Sequence, residues 1–218
     1  MGSFSNRPKL YRLRVLNSIL STFALLLWST VVWAVAPDTP TAIVQSITQE
    51  VIHVLQGHEG QSFTPAVQNH IADVVLPHID FMTMSRFVMS QYWSQMTPTQ
   101  QDEFVRLFKD QLVHTYMIAF SHYSGQTVRI LSSRQIYQNP DVVQVNTMIL
   151  QTNGLANIPV TYAFIQENSG WKIYDVFIDG VCMNLSYRDT YGQTVAREGI
   201  ANFLKDMSKK EQSWNNGQ

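Results

Sequence analysis

Two aspartates fall inside one of the most apolar stretches of the chain, Trp171-Lys172-Ile173-Tyr174-Asp175-Val176-Phe177-Ile178-Asp179. Read as a strand, this stretch puts Asp175 and Asp179 on one face, two alternations apart. A carboxylate pair in apolar surroundings has the makings of a general acid and base. The same pair also suits a structural use, on the solvent side of a strand or in an ion pair with a nearby arginine such as Arg188, and that use is the commoner one. Cys182 is the sole cysteine. No histidine lies in its part of the chain, so it reads as a small packing residue rather than a nucleophile. All six histidines lie between His53 and His122. His53 and His58 are five apart, which does not align them on a helix face, and no cysteine or carboxylate cluster completes a zinc set. There is no G-x-S-x-G, no H-E-x-x-H and no Gly-rich phosphate loop. The expectation is a chain with no catalytic residue, no metal and no cofactor.

The elements that would hold these residues are legible in the periodicity. Ile43, Val44, Ile47, Val51, Ile52 and Leu55 follow helical spacing from Pro40 to Leu55, with Thr39 as N-cap and Gly57 to Gly60 as the break. Short helices are expected over Pro65–Val75 and Asp80–Tyr92, with Pro77 between them. Thr97-Pro98-Thr99-Gln100 is a capping box with proline in the first turn. It opens a long helix on which Phe104, Phe108, Leu112, Tyr116 and Phe120 form a bulky, mostly aromatic ridge, the pattern of an amphipathic core helix. Beyond Gly125 the period falls to two. Thr127–Leu131, Val142–Thr152, Ile158–Gln166 and Gly170–Asp179 read as strands, with turns at Asn139-Pro140-Asp141, Asn153-Gly154 and Asn168-Ser169-Gly170. Turns this short make neighbours antiparallel, so the fold class is α+β, a twisted antiparallel sheet covered by helices. A last helix is expected from about Gln193 to Met207, followed by a frayed polar tail from residue 209 to 218.

The first thirty-six residues read as an export signal. Arg7, Lys9, Arg12 and Arg14 make a basic n-region, the apolar stretch is strongest from Phe23 to Trp33, and Ala34 and Ala36 are small. Cleavage after Ala34 is favoured over Ala36, because the latter puts Pro37 directly after the cut. A lipid anchor needs a cysteine after the cut, and an uncleaved transmembrane anchor needs about 20 apolar residues, which Asn17, Ser18, Ser21 and Thr22 interrupt. The expected organisation is a signal peptide over 1–34, one domain over 35–208 and the tail. Residues 35–218 carry a net charge of −5 with histidine neutral, which argues against nucleic acid as a partner. A single cysteine forbids an internal disulfide. Only 14% of the residues are charged against 45% hydrophobic, more apolar material than a small core uses.

A further set of segments carries a family pattern. They are Leu76-Pro77-His78-Ile79-Asp80-Phe81, then Tyr92-Trp93 through Thr97-Pro98-Thr99-Gln100-Gln101 to Phe104 and Phe108, Leu112–Tyr116, Pro159-Val160-Thr161-Tyr162, Gly170-Trp171-Lys172-Ile173-Tyr174-Asp175-Val176, Gly180-Val181 and Tyr187-Arg188. In this order and with these gaps, the chain from about Ile43 to Leu204 resembles the MlaC-type (toluene-tolerance) periplasmic phospholipid-binding proteins of Gram-negative bacteria. Ser90 stands where that pattern often has glycine, and Cys182 where serine is common.

The resemblance implies a cystatin- or NTF2-like sheet wrapped by helices, with an interior apolar cavity for lipid tails. It implies a soluble periplasmic carrier that moves phospholipid between outer and inner membranes and maintains outer-membrane asymmetry. The implied partners are an outer-membrane lipoprotein–porin complex and an inner-membrane ABC transporter with a periplasmic substrate-binding ring. Transferring acyl chains through water costs about 0.8 kcal/mol per methylene, so a two-tailed lipid faces a penalty of over ~20 kcal/mol that only a dry cavity cancels. The wall expected for it is Val145, Thr147 and Ile149 on one strand face, Val160, Tyr162 and Phe164 on its neighbour, and Tyr116 on the long helix. A lipid-processing enzyme on the same scaffold is the alternative, and it requires a perturbed carboxylate or histidine inside the cavity. A structural envelope adaptor with a filled core is the third.

Overall fold

The structure, a computed structural model, describes residues 39–58, 63–136, 139–152 and 154–216. The expected export signal and its cleavage sites lie outside the described residues, as does Asn153. Among the described residues no helix is long and apolar enough to cross a membrane.

Helix starts follow the capping residues. α1 (Pro40–Gln56) begins where the Thr39 side chain accepts from the Ala42 N–H, and α2 (Pro65–Val75) where Thr64 accepts from Val67. A short 3-10 turn over Leu76–His78 leads to α3 (Phe81–Met89), capped by Asp80, whose carboxylate accepts from the Thr83 N–H at 2.8 Å. α3 ends earlier than its apolar spacing suggests. Ser90 adopts φ 46°, ψ −119°, a backbone conformation that suits glycine, and a 3-10 stretch carries the chain to Gln95. α4 (Pro98–Phe120) opens on the complete capping box, with Thr97 and Gln100 bonding each other's backbone N–H.

The strands are β1 (Thr127–Ile136), β2 (Asn139–Leu150), β3 (Ile158–Glu167), β4 (Gly170–Ile178) and β5 (Val181–Cys182), paired antiparallel in chain order. Two strands differ from expectation at their ends. β1 runs five residues past Leu131 because a register shift after Ile130 keeps it on β2, and Asn139-Pro140-Asp141, expected as a turn, opens β2. Asp179 and Gly180 both take positive φ, 50° and 79°, and link Ile178 to its partner Val181. This is a tight Asp-Gly hairpin, so Asp179 belongs to a turn and not to the strand.

The single C-terminal helix expected over Gln193–Met207 is two helices, α5 (Met183–Glu198) and α6 (Ile200–Asn216), broken at Gly199 with φ 78°. The tail expected as frayed is helical to Asn216. Arg106 on α4 pairs with Glu211, and the Trp214 ring stacks on His114 with centroids 4.1 Å apart.

α1 lies on β1 and β2, while α3 and α5 lie on β4, and α4 packs chiefly on α3 and α6. The interior falls into three apolar clusters. The first joins α3, α4, α5 and α6 around Phe104 and Phe108, whose rings stack at 5.6 Å beneath Tyr187 and Tyr191. The second is the face of the sheet under Ile43 and Val44 of α1. The third lies between α1, α2 and the last turns of α4.

Candidate functional site

Pairing register builds the sheet face. Val143 is opposite Phe164, Val145 opposite Tyr162, Thr147 opposite Val160 and Ile149 opposite Ile158. Residues paired across an antiparallel ladder share a face, so six of the seven expected wall residues do come together. Their environments form a gradient. Val145 and Phe164 have no exposure and pack directly against Ile43 and Val44 of α1. Thr147 is 1% exposed, and its hydroxyl donates to the Val160 carbonyl at 2.9 Å, so its polarity is spent inside the sheet. Ile149 and Ile158, at the other end of the same ladder, are only half-buried. Tyr162 is likewise partly accessible, yet its apolar surroundings raise its phenol pKa.

Tyr116 is the exception. It packs in the helical cluster near Tyr187, where burial first and Tyr187 second push its pKa up to about 12. It therefore belongs to a different cluster from the sheet residues Val145, Tyr162 and Phe164. Only half-buried residues span the boundaries between clusters: Ile47 belongs to both the sheet cluster and the α1–α2–α4 cluster, and Ile79 to both the sheet cluster and the helical one. Sequence reasoning did not single out either isoleucine, since nothing in a periodic pattern tells the middle of a core from the border between two.

Two clefts open elsewhere. One of about 740 Å³ lies between α1 and α2, with Val54 and Val67 in its floor and Glu50, His53, His58 and His70 at its rim. His70 Nε2 is 3.3 Å from Glu50, and His58 Nδ1 donates to the Val54 carbonyl at 2.8 Å. His53 and His58, which sequence spacing left unaligned, thus line one cleft with His70, although no group of three or more metal-ligating side chains forms among the described residues. The other cleft, about 390 Å³, is lined by Ser90, Tyr92, Arg188, Asp189 and Gly192, among others. None of the seven expected wall residues lines either cleft.

The aspartates do not form a pair. β4 carries one extra residue, Tyr174, against the Ala163–Phe164 step of β3, and this bulge turns Asp175 into the interior, where it is 7% exposed. One oxygen of Asp175 accepts from the Val176 and Asn184 N–H groups at 2.8 and 3.2 Å, and the other from the Cys182 thiol at 3.0 Å. The carboxylate sits at the N-terminus of α5, where its charge is favourable. Asp179 stands in the hairpin turn, and Arg188 approaches Asp189 at 3.7 Å rather than either strand aspartate. Cys182 is more than a packing residue, because its sulfur caps α5 by accepting from the Leu185 N–H at 3.4 Å. Burial and the bond to Asp175 raise its thiol pKa.

The chain is 23% identical over 194 residues to the intermembrane phospholipid transport system binding protein MlaC of Haemophilus influenzae, covering 86% of this chain and 89% of that one. It is 26% identical over 204 residues to the toluene tolerance protein ttg2D of Pseudomonas putida, covering 92% and 88%. Among solved structures, a phospholipid-binding protein from Ralstonia solanacearum in complex with a phospholipid superposes with a TM-score of 0.66 at 23% identity, over 79% of this chain and 96% of that one, and has the same fold. The profile of the MlaC protein family matches residues 45–209, well over half of the sequence, from within α1 to within α6. The chain belongs to the MlaC family.

Proposed function

We propose that this protein is a periplasmic carrier that holds phospholipid tails against the inner face of its sheet and shuttles lipid between the outer and inner membranes, maintaining outer-membrane asymmetry. The observation that carries the reading is the ladder from Val145–Tyr162 to Ile149–Ile158. Toward the helices it is apolar apart from the Tyr162 phenol and the Thr147 hydroxyl, the latter spent on the Val160 carbonyl, and it is sealed by α1 at one end and half-open at the other. A half-accessible apolar face bounded by half-buried seams suits a ligand that must enter, stay dry and leave again. The names of the relatives, a phospholipid transport binding protein and a toluene tolerance protein, support the same reading.

On this reading residues 1–34 are an export signal removed after Ala34, and the mature protein is soluble in the periplasm. Its partners are an outer-membrane lipoprotein–porin complex and an inner-membrane ABC transporter with a periplasmic ring. Binding must stay close to isoenergetic with the bilayer for release, so directionality belongs to those partners. The carrier has no catalytic role for Asp175, whose carboxylate is engaged by three donors.

Solvent extraction of the purified protein followed by mass spectrometry tests the proposal. Intact two-tailed phospholipid in near-stoichiometric amount is the expected result. Protein purified without lipid, and unable to take any up from vesicles of phosphatidylethanolamine and phosphatidylglycerol, overturns it. Release of fatty acid or lysolipid from labelled phospholipid favours the enzyme instead.

A further inference from the structure

Three buried side-chain atoms among the described residues have no hydrogen-bond partner, Ser85 Oγ, Asn184 Oδ1 and the Tyr123 hydroxyl, and the last of them belongs to a residue packed on an apolar cluster. Tyr123 follows α4 by three residues, and its ring packs on the cluster between α1, α2 and α4. Its hydroxyl oxygen is buried, and no described protein group lies within hydrogen-bonding distance of it. Its backbone is fixed from both sides. The Tyr123 N–H donates to the Phe120 carbonyl at 3.0 Å, and the Thr152 hydroxyl donates to the Ser124 carbonyl at 3.0 Å. The second of these bonds ties the loop after α4 to the end of β2. That is the half-open end of the ladder, where Ile149 and Ile158 are partly accessible.

Burying a hydroxyl with no partner is unfavourable, and a phenol placed so firmly is a donor awaiting an acceptor. The surroundings restrict what that acceptor is. Met117, Phe120, Val51 and Leu55 belong to the same cluster, and a phosphate or any other full charge among them loses far too much hydration to enter. A neutral carbonyl attached to an acyl chain has no such barrier. We infer that the Tyr123 hydroxyl donates a hydrogen bond to an acyl-ester carbonyl of the bound lipid, which fixes how deep the lipid sits. This rests on the carrier reading proposed above. It assigns the tails to the apolar interior and leaves the headgroup beyond the loop that follows α4.

The test compares two probes, dioleoyl phosphatidylglycerol and its diether analogue, which differ only in the two carbonyls. The wild-type protein is expected to bind the diester about two- to tenfold more tightly, the worth of one hydrogen bond. In Tyr123→Phe that preference should vanish, so that both lipids bind as the diether binds wild type. Removing an unpartnered hydroxyl should also leave the empty variant melting no lower than empty wild type. A wild-type protein that binds both lipids equally overturns the inference, as a buried water on the hydroxyl would produce, and this measurement needs no variant at all. A preference that persists in Tyr123→Phe overturns it as well. If wild type binds neither lipid, the carrier reading itself fails, and the inference falls with it.

Discussion

At Cys182 a sulfur does the work of an N-cap oxygen. It accepts from the Leu185 N–H and donates to Asp175, in a position where serine would do both with shorter, stronger bonds. Cys182→Ser is therefore expected to keep or raise the melting temperature. Cys182→Ala removes the cap and one of the carboxylate's donors, and should lower stability by about 1–3 kcal/mol, or several degrees in calorimetry. The raised thiol pKa adds a pH signature whose direction follows from linkage. The folded protein holds the thiol proton more tightly than the unfolded chain does. The stabilisation is therefore complete below the ordinary thiol value and is lost as pH rises through the folded one. Wild type should lose stability on the alkaline side of that window, by an amount that Cys182→Ser does not show in urea titrations at successive pH values. Asp179 makes the opposite case. The first position of an Asp-Gly hairpin accepts asparagine equally well, so Asp179→Asn should stay within about 0.5 kcal/mol of wild type and load lipid normally.

Among the elements, the helices with threonine caps and the strands with strict alternation were readable in the sequence, because each rests on local signals that packing did not override. The exceptions share a cause. The first ten residues of α5 escaped notice because its cap is a cysteine and their core contacts include Tyr187 and Tyr191, which a hydropathy pattern counts as half-polar. Asp175 was placed on one strand face with Asp179 because the Tyr174 bulge, which changes the alternation of β4, has no sequence signature. The early end of α3 was visible only as a serine where the family pattern often has glycine. Its φ of 46° makes the glycine preference physical, and Ser90→Gly should stabilise by about 1 kcal/mol, seen as a rise of ~2–4 °C in melting temperature. No change in that temperature would mean that the strain is relaxed in solution. The same reasoning covers the end of α6. Its last two turns were read as tail because they are polar, yet Glu211 and Trp214 hold them on α4 through Arg106 and His114.

For the whole molecule, the placement of the wall residues was legible as far as strand faces reach, and no further. Period-two spacing put Val145, Thr147, Ile149, Val160, Tyr162 and Phe164 together, but it carries no information on how far α1 covers them or on which cluster receives Tyr116. The distinction matters for mutagenesis. Val145→Asp places a charge under α1 with no exposure and should unfold the protein, as a buried unpaired charge costs about 3–5 kcal/mol. Ile149→Asp, at the half-open end, should leave the fold intact by circular dichroism and abolish co-purified lipid. Lipid retained by a folded Ile149→Asp would move the tails elsewhere. Finally, every strand pairs with its neighbour in sequence, from β1 through β5, while a single cysteine leaves no disulfide to wait for. Pairing between sequence neighbours keeps strand contacts as local as a sheet allows, and a single hairpin closes in about 1–10 μs, ahead of long-range docking. The strand pairs are therefore expected to form before α1, which is remote in sequence from the sheet face it covers, docks on that face. In that order the inner face of the sheet is bare until α1 docks, and on the carrier reading a lipid is expected to be captured during folding as well as after it.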